Sequence, residues 1–299
     1  KIAAVKDGEP VFSAEFPWNP KDQSDPEYHY QHLARGIRAA AAHLPRVDAI
    51  GGSSAGVIVD NQIMASSLIR SIPEAKLPDA RRLFHRLAKE WNVPLAVAND
   101  GDVTALAGAI SLKKTSFLGI ALGSSQAAGY INPQGCMTGW LSEFAFAPVD
   151  YNPAAPKDEW SQDCGVGALY FSQQAVNRLL PAAGIALPHD MPVPERLKEV
   201  QALMVKGDTR AEKIYQTIGA YLGWTIPLYA EFYEFNDALI LGRVTTGRGG
   251  EIILDTARDT LAAASPGLAQ RVELHLPDEQ SRRVGQAVAA ASLPALTPK

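Results

Sequence analysis

The pair Asn99-Asp100 follows a short apolar run, Pro94 to Ala98, and is followed by Gly101 and an alanine-rich stretch. Such a run, closed by a glycine, reads as a strand, so the pair stands where a strand ends. A carboxylate delivered there can take a proton from a reacting hydroxyl, which is general-base chemistry. The amide of Asn99 can hydrogen-bond neighbouring polar groups. Asp100 serves equally well as a helix N-cap or a turn residue, and the residues alone leave both roles open. Glu143 is a second acceptor, in a stretch from 133 to 170 rich in glycine, proline and aromatics that reads as an ordered, site-building region. By itself it is also an ordinary solvated loop residue. Two glycine-containing turns complete the set: Gly123-Ser124-Ser125-Gln126, between two apolar runs, and Gly242, at the end of another. His29 and His32 have a suggestive spacing but no cysteine or aspartate partners in pattern, so they read as surface histidines.

The elements that must position these residues follow from periodicity. Lys1 to Val11 reads as two strands joined at Asp7-Gly8, and 27–44 as a helix. Val47 to Ile50 is a short strand running into a turn from Gly51 to Gly56. Residues 79–91 carry Ala80, Leu83, Phe84, Leu87, Ala88 and Trp91 on one helical face, with Asp79 as N-cap. A small-residue helix spans about 102–111, and Ser116–Leu122 with Ala127–Ile131 reads as a hairpin. Helices are expected over 172–180, 195–206, 209–234 (bending at Pro227), 250–264 and 278–291, a strand over 237–241, and a loose tail from Ser292. Interior proline removes a helix hydrogen bond, hence the expected bend. Alternating hairpins and helices give a mixed α/β class. A strand-rich opening, a loop-rich middle and a helix-rich second half suit two lobes with a cleft between them.

The bulk composition narrows the partners. The 299 residues are 46% hydrophobic and 20% charged, ordinary for a globular chain. A net charge of −4 offers no broad basic footprint for nucleic acid. No apolar run approaches the roughly 20 residues of a membrane span. Two cysteines, Cys136 and Cys164, make no disulfide framework, so a reducing cytoplasm is the expected setting.

Several of these pieces together resemble one family. Val93 to Gly108 is similar to the segment of ROK sugar kinases in which a strand delivers an Asn-Asp pair to an Ala-rich helix. Asp48 to Asp60 resembles the family's strand and glycine turn beside the sugar. Gly139-Trp140-Leu141-Ser142-Glu143-Phe144 resembles the loop supplying a sugar-binding glutamate. Ile218 to Gly223, through Ala238 to Val244, resembles the helix and strand leading to the nucleotide. The likeness is collinear from about residue 1 to residue 265. It implies a two-lobed actin/hexokinase-like (ribonuclease H-like) α/β fold, with an N-terminal lobe over 1–100 and a C-terminal lobe over 101–299 whose final helix packs back on the first. It implies transfer of the γ-phosphate of ATP, with Mg²⁺, to a hexose or amino-sugar hydroxyl. Asp100 would be the base. Gly56, Asn99 and Glu143 would line the sugar site, and Gly123, Ser124 and Gly242 would approach the nucleotide. It further implies a cytoplasmic homodimer. The family sets an Asp-x-Gly-Gly-Thr turn directly ahead of the segment matching Lys1 to Val5, so a strand is expected before Lys1.

The chain also departs from the family pattern. The family's zinc site uses one histidine and a cysteine-rich loop. Here Phe146 stands at the histidine position and only Asp163-Cys164-Gly165-Val166-Gly167-Ala168 remains of the loop. Zinc needs about four ligands, so no structural zinc is expected there. Gly165 and Gly167 then read as turn residues. Tyr170 replaces a glutamate, which implies a lost sugar contact. The phosphate turn carries serines in place of a second glycine, and Arg243 interrupts the glycine run near the adenine. These changes motivate a second reading, a non-catalytic relative that binds a sugar or nucleotide as sensor or scaffold. A DNA-binding repressor of the same family is a third, which the acidic composition does not support.

Overall fold

The structure, a computed structural model, describes residues 1–20, 22–159, 161–277 and 281–296, the last stretch as backbone alone at 281–284 and 295–296. The chain begins with a hairpin of β1 (Ile2–Lys6) and β2 (Glu9–Ala14), turned at Asp7 and Gly8, both at positive φ. Helix α1 (Pro26–Ala41) follows, started by Asp25, whose carboxylate accepts from the Glu27 N–H. Then come β3 (Ile50–Ser54), β4 (Val57–Val59), β5 (Gln62–Ala65), α2 (Leu77–Arg81), α3 (Leu83–Trp91), β6 (Leu95–Asn99) and α4 (Asp100–Leu112). Strands β3 and β6 pair in parallel, while β4 and β5 form an antiparallel hairpin.

From there the chain builds β7 (Phe117–Leu122), β8 (Gln126–Ile131), α5 (Gln173–Leu179), α6 (Val193–Val205), α7 (Thr209–Ala230), β9 (Asp237–Leu241), α8 (Arg248–Ala264), α9 (Pro266–Ala269) and β10 (Glu273–His275). These strands form one sheet in the order β10-β9-β7-β8, parallel except for the expected β7–β8 hairpin. The last helix, α10 (Ser281–Leu296), packs against β1, β3 and β6. Two compact units result. One comprises Lys1–Ser111 with α10, and the other Leu112–Pro277. The division thus falls at the end of α4, eleven residues after the expected boundary at residue 100.

Each unit has its own core. In the first, Tyr30, Ala34, Ile63, Ile69, Ile72, Leu83, Phe84 and Leu87 close around α1, α3 and β5. The expected apolar face over 80–91 is the buried one. It is carried by two helices, because Arg82 leaves helical geometry between α2 and α3. Asp79 lies inside α2 and caps nothing. The second core stacks β7, β8 and β9 against α7, whose Ile214, Tyr215, Ile218, Leu222 and Ile226 are fully buried. Each such side chain contributes about 1.5–3 kcal/mol, enough to carry α7 unbroken past Pro227.

Three local expectations are corrected. The third strand is Ile50–Ser54, so Gly51 and Gly52 lie within it rather than in a turn. A Cβ on Gly51 would overlap the Ala290 carbonyl of α10, so this glycine serves close helix approach. His29 is buried, 2% exposed, against the edges of Trp18 and Tyr28. That burial holds its pKa below the usual value. Residues 292–296, expected to be loose, continue α10, and the remainder of that tail lies outside the described residues. Among the described residues no helix is long and apolar enough to cross a membrane.

Candidate functional site

Two groups of the expected residues come together, one in each unit: Gly56, Asn99 and Asp100 in the first, and Gly123, Ser124 and Gly242 in the second. In the first unit β6 ends at Asn99 and α4 starts at Asp100. Asp100 is therefore the first helical residue rather than the end of the strand. The Asn99 side chain performs the capping role: its Oδ1 accepts from the Gly101 N–H at 2.7 Å, a bond of the Asx-turn type. Its Nδ2 donates to the Gly56 carbonyl at 2.8 Å. Gly56 has φ of +101°, a conformation that strongly favours glycine. The amide of Asn99 thus ties the 54–57 turn to the start of α4.

That arrangement leaves the Asp100 carboxylate lightly committed. Its Oδ1 accepts from the Gly101 N–H at 3.0 Å. Among the described residues no side chain is bonded to it. Partial burial raises its pKa above the usual carboxyl value, and the backbone N–H bonds only partly oppose that. The backbone around it is well held. Thr104 Oγ1 donates to the Asp100 carbonyl at 2.6 Å. Gln286 of α10 donates to the same carbonyl, to Ser53 Oγ and to Thr104 Oγ1, at 3.0 to 3.2 Å. Nothing in the sequence marks Gln286, because its part depends on α10 folding back across β3.

In the second unit β7 and β9 are parallel neighbours, with Ala121 opposite Leu241. The turns that follow them, at Gly123-Ser124-Ser125 and at Gly242, are therefore adjacent. Val244 N–H donates to the Leu122 carbonyl at 3.2 Å and locks the two together. Ser124 and Ser125 are exposed. Gln173 N–H donates to the Gly123 carbonyl at 2.9 Å, which seats α5 beneath the turn. Beside the Gly242 turn lies a cavity of about 570 Å³, lined by Met204, Asp208, Tyr215, Thr246, Gly247 and Arg248 among others. Gln201 bonds both the Arg243 carbonyl and Thr246 Oγ1 at 2.9 Å and joins that cavity to the turn. The Tyr215 hydroxyl is buried with no hydrogen-bond partner among the described residues, and burial drives its pKa far upward. The cavity begins at the N-terminus of α8, where helix N–H groups and the macrodipole favour an anionic ligand.

Glu143 precedes a short 3-10 turn over Phe144–Phe146 and is half-buried. Phe144 packs on Tyr229. The segment after it is held by backbone bonds: Val149 and Asp150 N–H to the Gly165 carbonyl, Gly165 N–H to the Pro156 carbonyl, and Asp158 N–H to the Asp163 carbonyl. Gly165 takes a positive φ, as a turn residue does, and Cys164 is exposed. Tyr170 is buried, with its hydroxyl donating to Asp150 Oδ2 and Arg178 over its ring. The bond lowers the pKa of Asp150.

No protein-family model matches the chain, and no curated protein matches it. Solved structures do. The ROK hexokinase of Thermus thermophilus superposes with a TM-score of 0.72 at 18% identity, over 95% of this chain and 91% of that one. A ROK family glucokinase from Streptomyces griseus, in complex with glucose and AMPPNP, gives 0.70 at 18% identity, over 97% and 93%. A ROK family transcriptional regulator, a homolog of E. coli MLC, gives 0.74 at 19%, over 96% of this chain and 73% of that one. The chain therefore has the two-lobed actin/hexokinase-like fold that ROK kinases and regulators share.

Proposed function

We propose that this chain is a ROK family sugar kinase that transfers the γ-phosphate of ATP to a hydroxyl of a hexose or amino sugar. Asp100 acts as the general base, and its carboxylate takes the hydroxyl proton as the oxygen attacks phosphorus. The observation that carries this reading is the state of Asp100. It is a carboxylate held by its backbone, bonded to no side chain among the described residues, and raised in pKa by burial, as suits a base. Asn99 and Gly56 form the adjoining wall of the sugar site, with Glu143 as a further acceptor. Gly123 and Ser124 face the phosphates. The cavity beside Gly242 has room for a nucleoside, and its unpartnered Tyr215 hydroxyl suits a polar base or ribose.

Phosphoryl transfer of this kind uses Mg²⁺, which is held chiefly by the substrate phosphates with one or two carboxylates. Such an ion would neutralise charge on the phosphates. This chain's part is to orient the hydroxyl and accept its proton. A cytoplasmic homodimer is the form that the resemblance to ROK kinases implies.

A second reading, a non-catalytic sugar or nucleotide binder, is favoured by Tyr170. Its hydroxyl is spent on Asp150 and its ring is buried, so it contributes no carboxylate to a sugar. A coupled ADP-release assay with ATP, Mg²⁺ and a panel of hexoses and amino sugars separates the two. Turnover with one sugar class is expected. Saturable sugar or nucleotide binding by calorimetry, with no ADP formed from any sugar, would establish the binder instead.

A further inference from the structure

Strands β9 and β10 run parallel, with Glu273 opposite Asp237 and His275 opposite Leu239. Side chains alternate along a strand and paired neighbours share a face. Glu273, His275 and Asp237 therefore lie on one side of the sheet, at the end of β9 away from Gly242. The Asp237 Oδ1 is 2.8 Å from His275 Nε2, and Glu273 Oε2 is 3.8 Å from the same nitrogen. One ligand atom from each lies within 4.8 Å of the others, and among the described residues this is the one such set of His, Cys, Asp or Glu. Asp237 is 5% exposed, so its charge needs a cation close by. The nearest is Lys114, whose Nζ lies 3.1 Å from Asp237 Oδ1 and 4.0 Å from Glu273 Oε2.

We propose that Asp237, Glu273 and His275 form a binding site for one divalent transition-metal ion of the Zn²⁺ type, in which the Lys114 ammonium otherwise holds the cation's place. One imidazole and two carboxylates are a zinc donor set, with bonds of about 2.0–2.2 Å. Tetrahedral bonds of that length set ligand atoms about 3.3–3.6 Å apart, so the 2.8 and 3.8 Å separations need only small side-chain shifts. The imidazole favours zinc over Ca²⁺ or Mg²⁺, which take oxygen ligands. Lys114 is 42% exposed on a flexible stem and can swing out. The open side of Glu273, 67% exposed, leaves the fourth position to water. The bound ion would clip β10, a three-residue edge strand, to β9. This site is separate from the 163–168 loop, where no zinc is expected, and it does not depend on the kinase reading.

The test is calorimetric titration of the full, chelator-treated chain with Zn²⁺, alongside His275→Gln, Glu273→Gln and Lys114→Met. One saturable site per chain is expected. His275→Gln and Glu273→Gln should each weaken it about tenfold or more, because each leaves two protein ligands. Lys114→Met should tighten it severalfold by removing the competing ammonium, and Ca²⁺ should not compete. Zinc at about a hundredfold excess over Kd should raise the Tm of the natural chain by about 5 °C and leave that of His275→Gln unchanged. Should His275→Gln fail to fold, the exposed Glu273 position decides the matter. Absence of saturable binding in both the natural chain and Lys114→Met overturns the proposal. So does binding that persists undiminished in both ligand variants, which would place the ion elsewhere, at Cys136 or Cys164 for example.

Discussion

Gly123 and Gly242 follow adjacent parallel strands, yet a side chain would meet different surroundings at each. At Gly242 φ is +108° and an added Cβ would press into the backbone of Leu122, with its nitrogen 2.8 Å away. At Gly123 an added Cβ would meet only the Ser125 carbonyl, at 3.4 Å. One turn is therefore required by the fold and the other is free of it. The same contrast recurs at the end of β6. Asn99 spends its amide on Gly56 and Gly101, whereas Asp100, the next residue, has a carboxylate that no side chain among the described residues engages. In each pair a structurally committed residue holds an uncommitted one in place. The uncommitted members, Gly123 and Asp100, are the ones proposed to meet the phosphates and the reacting hydroxyl, while Asn99 and Gly242 adjoin the sugar and the nucleotide.

Substitutions can break that contrast. Gly242→Ala should show the largest stability loss, about 3 kcal/mol or more, because strain and backbone overlap coincide; urea unfolding measures it. Asn99→Ala should cost about 1–3 kcal/mol, since the Gly56 carbonyl and Gly101 N–H both lose a partner. Asp100→Asn should act in the opposite sense. Between the usual carboxyl pKa and the raised folded value, the folded chain keeps a proton that the unfolded chain releases. Stability therefore falls as pH rises through that window. The asparagine variant should lack this fall and be at least as stable as the natural chain at neutral pH, which a Tm series from acid to neutral pH would show. Gly123→Ala should shift stability least, within about 0.5 kcal/mol, while raising KM for ATP. A large stability loss at Gly123, or none at Gly242, would erase the distinction.

Much of this was legible in the sequence, for identifiable reasons. The β7–β8 hairpin announces itself by two apolar runs around a Gly-Ser turn, and the face of α2 and α3 by its 3–4 spacing. Both signals are local. No local pattern marks the β4–β5 hairpin. Its strands are short, and Asn61 in its turn is held by a tertiary partner, bonding the Leu95 carbonyl and Val97 N–H across the unit. Gly51 follows the same logic, since a glycine required by a distant helix has the same local pattern as a glycine required by a turn. At the candidate site, Asn99 and Asp100 were visible as a pair but their division of labour was not, because either can cap a helix. Only the hydrogen bonds assign the cap to Asn99. Gln286 and the cavity beneath α8 depend on packing between segments far apart in the chain, which no local pattern records.

The central claim is that Asp100 is a base held in readiness by its neighbours. The most direct test is the turnover of Asp100→Asn beside the natural chain, with ATP, Mg²⁺ and the sugar that supports ADP release. The account predicts a fall in kcat of about a hundredfold or more in a protein that unfolds no earlier than the natural one. Near-natural turnover in that folded variant would contradict it.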